Sequence, residues 1–358
     1  MCAAACGCHL LPKIVVPMLV VRQAPAGRRG DRALPSSWVT TFDDPDRYQA
    51  MLRGADCEVL LHHGGSFKVE LTRVDLDRLW MQRSRCYAAP PIVRAALDPS
   101  RVAVLFASDT DHGPMHHNGI DLSSSEIVLH RRGDTIYNWA PGPTHWAAMS
   151  LTHDDFAKVS QTLLGHALEA PARTYVAHPA SETMRRLRTL HNATCQLAGT
   201  APSAFSCPAT VTALEQELVR ALVACVAGPG LSTAKIEKGR RSSIVGRFHD
   251  FLASRPYEPV YVGEICAAIG VSEGTLRTCC HERLGMGPIH YLWLRRMHLA
   301  RRTLLDADGT SKTVTEVATE HGFWELGRFS VEYRTLFGES PSATLRCPPE
   351  EMVRSKTR

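Results

Sequence analysis

Apolar residues recur at two different periods along this chain, and the change of period divides it. Between residues 38 and 150 they come in short β-rich runs at 57–62, 67–74, 79–83, 102–106 and 126–130, separated by clusters of Gly, Pro, Asp and Ser. Strands this short at this spacing predict a small barrel or sandwich. After Thr152 the period lengthens to that of a helix, with helices expected at 153–168, 182–197 and 209–227, the last closed by Gly228-Pro229-Gly230. The expected fold class is α+β, with a β-rich region first and helices after it.

The helix at 209–227 carries Val211, Leu214, Leu218, Ala221 and Cys225 in alternating steps of three and four residues, the seam of a short coiled coil. That seam offers either a homodimer contact or a face that packs on the chain's own barrel, and the spacing supports both. Residues 229–241 are small, polar and basic and read as a linker, and a helix at 243–254 follows.

Beyond the linker a helix, Gly-centred turn and second helix occur twice. In the first unit Val262 to Ile269 leads to Gly270, and Ser272 stands where its hydroxyl can accept the free N–H groups of a helix at 273–284. In the second, Val314, Val317 and Ala318 share a helical face, Gly322 ends it, and a helix from about Gly327 to Phe337 buries Phe329, Tyr333, Leu336 and Phe337. Gly338 closes that helix, and Pro341 opens a last short one. Between the units, residues 288–306 form a single amphipathic helix with Ile289, Leu292, Trp293, Met297, Ala300, Leu304 and Leu305 on its apolar face. Two crossed helices at a tight turn are the helix-turn-helix plan, in which the first helix braces the second in a DNA major groove.

Residues 240–346 resemble the DNA-binding domain of the AraC/XylS-type transcriptional regulators. The resemblance rests on Ile265, Ala268, Gly270, Ser272 and Leu276, on Leu284-Gly285-Met286-Gly287-Pro288 and Tyr291, and on Arg295, Ala300 and Leu304 in the linker helix. In the second unit it rests on Val314, Ala318, Gly322-Phe323, Phe329, Tyr333, Phe337-Gly338 and Pro341. It implies a cupin-like sensor barrel at 38–150, a helical dimerisation or support region at 151–228, a linker at 229–241 and the DNA-binding domain at 242–346, with tails at 1–37 and 347–358. It also implies an activator that binds double-stranded promoter DNA, recruits RNA polymerase and answers to a small-molecule effector of unknown identity.

Reading residues follow from the helix-turn-helix geometry. Glu273, Thr275, Arg277, Thr278 and His281 should face DNA in the first unit, and Glu325, Gly327, Arg328, Val331 and Arg334 in the second. Arg277 and Arg328 are the expected base contacts, because a guanidinium can donate two hydrogen bonds to guanine, and Val331 can meet a thymine methyl. Arg334, Arg295 and Arg296 are expected at phosphates. Gly274 and Thr278 depart from the larger residues common in the family, and Cys280 replaces its usual aromatic, so first-unit readout should be thin.

Composition adds boundaries to this picture. With 358 residues the chain can bury two ordinary cores, and 44% hydrophobic with 22% charged residues is a soluble globular balance. From residue 240 onward, 17 Lys plus Arg stand against 14 Asp plus Glu, giving +3 of the formal +5 to the helix-turn-helix part. Twelve cysteines in mostly apolar contexts read as free thiols of a cytoplasmic protein, and neither a membrane partner nor a cofactor is expected.

Two rival chemistries are weighed against this. Family members that repair DNA alkylation carry an N-terminal zinc-binding cysteine site. Here Cys2, Cys6, Cys8 and His9 have no second suitably spaced pair, and neither Cys207-Pro208 nor Cys347-Pro348 lies in a methyl-accepting setting. A metal-dependent cupin would need two histidines one residue apart. His112, His116, His117, Glu126 and His130 supply the types without that spacing, and adjacent His116 and His117 of a strand point to opposite faces. No metal site is therefore expected, and an enzyme fused to a DNA-binding module is the alternative reading. Trp80, Arg83, Tyr87, Phe106, His117, Tyr137, Trp139, His145 and Trp146 are the side chains that could serve an effector pocket, with strand register undecided.

Overall fold

A computed structural model describes residues 35–52, 55–88, 90–111, 113, 115–228, 234–235, 240–255, 258, 260–307 and 312–346. The Cys2, Cys6, Cys8 and His9 cluster, His112, most of the 229–241 linker and residues 347–358 lie outside them. The first strand, β1 (Ser36–Phe42), begins inside the stretch expected as a tail and pairs along its whole length with a later strand, Ser36 opposite Asp75. A short helix, α1 (Pro45–Met51), follows, capped by the Asp44 carboxylate on the Arg47 N–H at 2.9 Å.

Ten further strands complete the β-rich region: β2 (Ala55–Leu60), β3 (Lys68–Asp75), β4 (Trp80–Ala88), β5 (Ile92–Leu97), β6 (Arg101–Ala107), β7 (Met115–His117), β8 (Ile120–Leu122), β9 (Ile127–Leu129), β10 (Thr135–Trp139) and β11 (Thr144–Thr152). All pair antiparallel. One sheet runs β1-β3-β4-β11-β6-β9 and is extended by β12 (Tyr175–Ala177) and β13 (Ala234–Lys235); the other runs β2-β5-β10-β7-β8. Residues 101–107 and 144–152 show no regular apolar–polar alternation, because both faces of these strands pack against hydrophobic neighbours. Val102, Val104, Phe106, Ala147, Met149 and Leu151 face one core, while Leu105, Trp146 and Ala148 face the other side of the sheet.

The first of those cores is roofed by helices α2 (His153–Leu164), α3 (Ser181–Thr200) and α4 (Pro208–Ala227). Helix α2 starts on the Thr152 hydroxyl, which accepts from Asp155 N, and ends at Gly165 in the left-handed region, φ 81°. Helix α4 is the expected coiled-coil segment, and its seam is taken up within the chain. Val211, Leu218, Ala221 and Cys225 are buried and Leu214 packs partly against the same core. A homodimer contact through these five residues would compete with that packing. An amphipathic helix lying on its own barrel and one lying on a partner carry the same apolar spacing.

The remaining helices are α5 (Arg240–Ser254), α6 (Val262–Ile269), α7 (Glu273–Leu284), α8 (Pro288–Asp306), α9 (Val314–Glu320), α10 (Leu326–Phe337) and α11 (Pro341–Arg346). They share a hydrophobic core with the barrel: Phe42, Tyr48, Leu60, Phe67 and Tyr137 belong to the same cluster as Phe248, Tyr291, Leu294 and Phe329. Among the described residues no helix is long and apolar enough to cross a membrane.

Helix α8 is the element most heavily bonded to the barrel. Arg301, only 9% exposed at its side chain, donates to Asp46 at 2.7 Å and also pairs with Asp44. Arg302 Nε reaches Asp46 at 2.7 Å, Tyr291 donates to Glu58 at 3.0 Å, and the Leu61 N–H donates to His298 Nε2 at 2.9 Å. Removing one member of a buried ionic cluster leaves the others uncompensated, so Arg301→Met should cost about 3–5 kcal/mol of stability, read from urea unfolding. A cost within error of zero would show that Asp44 and Asp46 do not depend on it.

Titration gives a second handle. Burial lowers the His298 pKa from 6.5 to about 4. Burial also opposes ionisation of Asp46, but Arg302, His298 and Arg301 outweigh it and leave that carboxyl below its ordinary 3.8. Both groups bind a proton more readily once the helix undocks, so the His298 contribution to docking is full above pH 6.5, declines as pH falls below it and is lost by about 4, while that of Asp46 is lost below 3.8. The urea midpoint should drop between about pH 7 and about pH 5; a flat midpoint would contradict this.

Candidate nucleic-acid interface

Each helix pair is set by its caps. In the first, Gly270 takes the left-handed conformation, φ 66°, that ends α6, and Ser272 Oγ then accepts from Thr275 N at 3.2 Å to start α7. Leu276, Cys279, Cys280 and Leu284 turn inward. Glu273, Thr275, Arg277, Thr278 and His281 are left exposed, as the helix period requires. Arg277 forms no ion pair among the described residues.

The second pair repeats the arrangement with a larger aromatic core. A capping box of Thr313 and Glu316 opens α9, and Gly322, φ 77°, turns the chain toward α10. Phe323, Phe329, Tyr333 and Phe337 pack in sequence with tilted rings, their centroids 4.8, 5.6 and 4.6 Å apart. Tyr333 also donates to Thr344 Oγ1 at 2.9 Å, which ties α11 to the pair. Glu325, Gly327, Arg328, Val331 and Arg334 are exposed. Arg328 Nε is held by Glu332 at 2.7 Å, and Glu332 also accepts from Trp293 Nε1 at 3.0 Å. The Arg328 guanidinium is thus oriented before any partner arrives.

Both reading helices border one open cleft of about 730 Å³, into which Arg277 and Arg328 face across the start of α8. The barrel reaches the same place. His62, His63 and Gly64 line the cleft, and a Cβ on Gly64 would overlap the Thr335 carbonyl oxygen of α10, so only glycine permits this approach.

The comparisons with known proteins bear on this part of the chain. A family model described as "Helix-turn-helix domain" matches residues 265–346. The "Probable thc operon regulatory protein" of Rhodococcus erythropolis is 40% identical over 100 residues, which are 28% of this chain and 30% of that protein. The "XylDLEGF operon transcriptional activator 1" of Pseudomonas putida is 38% identical over 76 residues, 21% and 23% of the two chains.

Residues 265–346 are a helix-turn-helix domain of the AraC/XylS type.

The chain spans less than a third of the length of these curated relatives. The crystal structure of the AraC-like transcriptional activator CuxR matches with a TM-score of 0.37 at 18% identity, covering 74% of this chain and 95% of that one. Within the AraC/XylS-type domain, the two α8 arginines expected at phosphates both make contacts inside the chain. Arg295 turns inward, donating to Leu252 O of α5 at 3.1 Å and lying 3.8 Å from Glu58 of β2. Arg296 lies over the Phe323 ring at 5.3 Å, though it also borders the open cleft. The apolar pattern of the linker helix does not reveal that its arginine edge meets barrel carboxylates. Conversely, Trp324 is 76% exposed in the turn before α10 and was not among the expected reading residues. A large apolar residue in a turn that the core spacing does not need is the signal for it.

The barrel interior is also visible. Trp80 and Trp146, from the sequence candidates, line a space between the sheets together with Gln82, His130, Asn138 and Ser150. Its volume is about 70 Å³, well below that of an ordinary ligand pocket of roughly 300 Å³ or more. Phe106 packs on His191 in the helix-roofed core, Tyr87 is exposed, Arg83 sits beside Glu70, and His145 bonds Asp109. Tyr137 stacks on His249, and Trp139 packs on Gly285. His117 is buried and bonds Asn138 at 2.6 Å, while His116 stacks on Trp139 at 3.7 Å, so these neighbours point apart. Among the described residues no three His, Cys, Asp or Glu side chains gather as metal ligands.

Arg277→Ala and Arg328→Ala should each lose about 1–3 kcal/mol of binding to the preferred DNA site and relax its sequence preference at one position. Arg295→Ala should leave the salt dependence of DNA binding unchanged, since its charge is spent on the barrel. Fluorescence anisotropy at several salt concentrations measures both, and a shallower salt slope in Arg295→Ala would return that residue to the phosphates.

Proposed function

We propose that the whole chain is a sequence-specific transcriptional regulator, an activator that reads two successive major grooves through α7 and α10. The observation that carries this is the pair of exposed reading faces, each set behind a capped, glycine-terminated helix and joined by the rigid α8. The names of the relatives, an operon regulatory protein and an operon activator, support the same reading.

In this proposal the barrel is the sensor half. Its contacts with α8 and with Thr335 supply a physical route by which a ligand could alter how the reading helices are held, which makes the regulator effector-responsive. RNA polymerase is the partner of the activator role, and the cytoplasm is its setting. A homodimer would bring two such domains to paired half-sites through a surface other than the covered α4 seam.

Selection of sites from random duplex DNA, followed by footprinting, tests the proposal. The expected result is a motif of two short blocks about one helical turn apart, protected on one face of the duplex. Protection without a shared motif would overturn it.

A further inference from the structure

A second large cleft, of about 700 Å³, opens between the barrel and the helix-turn-helix domain. It is lined from both sides, by β5 and β10 of the barrel and by α5 and α7 of the domain. We propose that this cleft binds a small organic anion, a carboxylate or phosphate, whose oxygens are held between Arg94 of the barrel and Arg283 of the first reading helix.

The charge balance supports an anion. Arg94, Arg131, Arg173, Arg247 and Arg283 line the cleft, and its carboxylates are Asp134 and Asp250. Asp134 is already committed, accepting from Arg131 Nε at 3.1 Å and from the Thr174 hydroxyl. Among the described residues Arg94 and Arg283 form no ion pair. Arg283 is 7% exposed and donates to the neutral Asn118 side chain at 3.3 Å. Arg94 Nε is buried without a hydrogen-bond partner among the described residues, and so is Nε2 of the neighbouring His249.

Buried cations and unsatisfied donors cost free energy unless something compensates them. Burial also lowers the Arg283 pKa, the sign of a cation short of a counter-charge. An oxyanion supplies the missing acceptors at once, and a guanidinium suits either carboxylate or phosphate in two-point contact. Size points the same way: this cleft falls in the range of small-molecule sites, whereas the space between the sheets, about 70 Å³, does not.

The inference rests on the regulator reading only for its consequence. A ligand shared by β5 and α7 ties the sensor half to a reading helix, so its occupancy and the docking of the domain are linked.

The test uses the full chain without DNA, so its failure is distinguishable from failure of the regulator reading. Calorimetric titration with inorganic phosphate and, separately, with succinate is compared with chloride at equal ionic strength. Saturable one-site binding of either probe is expected, weakened at least tenfold in Arg94→Met, whose partly exposed strand position tolerates the change. Arg185→Met, at an exposed position of α3 away from the cleft, should bind as the wild type does. Phosphate alone would assign the site to phosphate esters and succinate alone to carboxylates. Binding of neither probe above the chloride control, or equal affinity in Arg94→Met, would overturn the proposal.

Discussion

The docking of α8 on the barrel is the constraint from which the rest of the molecule follows. Arg301 and Arg302 close on Asp44 and Asp46, His298 accepts the Leu61 N–H, and Tyr291 holds Glu58. Because α8 also separates the two helix-turn-helix pairs, these bonds fix α7 and α10 to the β-rich half as well as to each other. Ionic groups taken out of water need close partners to be tolerated. Their pairing therefore favours the docked arrangement, and protonation of His298, whose pKa burial lowers to about 4, works against it.

That docking explains how basic residues are divided. Arg277 and Arg328 remain at the open cleft, the second pre-oriented by Glu332, while Arg295, Arg301 and Arg302 are spent on the barrel. The mild net charge of the chain is thus no guide to the charge at this cleft, since arginines of α8 are paired inside the molecule while those of α7 and α10 face outward. Trp324 and Val331 leave an apolar edge on the second reading helix, suited to thymine methyl groups and sugar faces.

Much of the helical half is legible in the chain itself. Gly270, Ser272, Gly322 and Gly338 each mark a position that only a few residue types can fill, and Pro288 marks the start of α8. The barrel is less legible. Strands β6 and β11 are buried on both faces and lose the alternation that betrays a strand; β6 was found as an apolar run and β11, rich in small residues, was not. Helix α1 is too short for a period to emerge, and β1 starts two residues inside the stretch whose composition suggests a tail. The side chains lining the barrel interior depend on register, so Trp80 and Trp146 could not be separated from Phe106 or Tyr87 in advance. The α4 seam and the roles of Arg295 and Arg301 depend on which surface meets which, and that is a property of the assembled fold.

The docked arrangement is tested most directly by amide hydrogen exchange of the free full-length chain at neutral pH. The Leu61 amide donates to a side chain on α8, 237 residues away, rather than to its own sheet. Docking predicts that it is protected to the same degree as the amides in the middle of α8, and that both lose protection together in Arg301→Met. Exchange of Leu61 at the rate of an open loop, with α8 still protected, would show that the reading domain stands free of the barrel and would contradict the account.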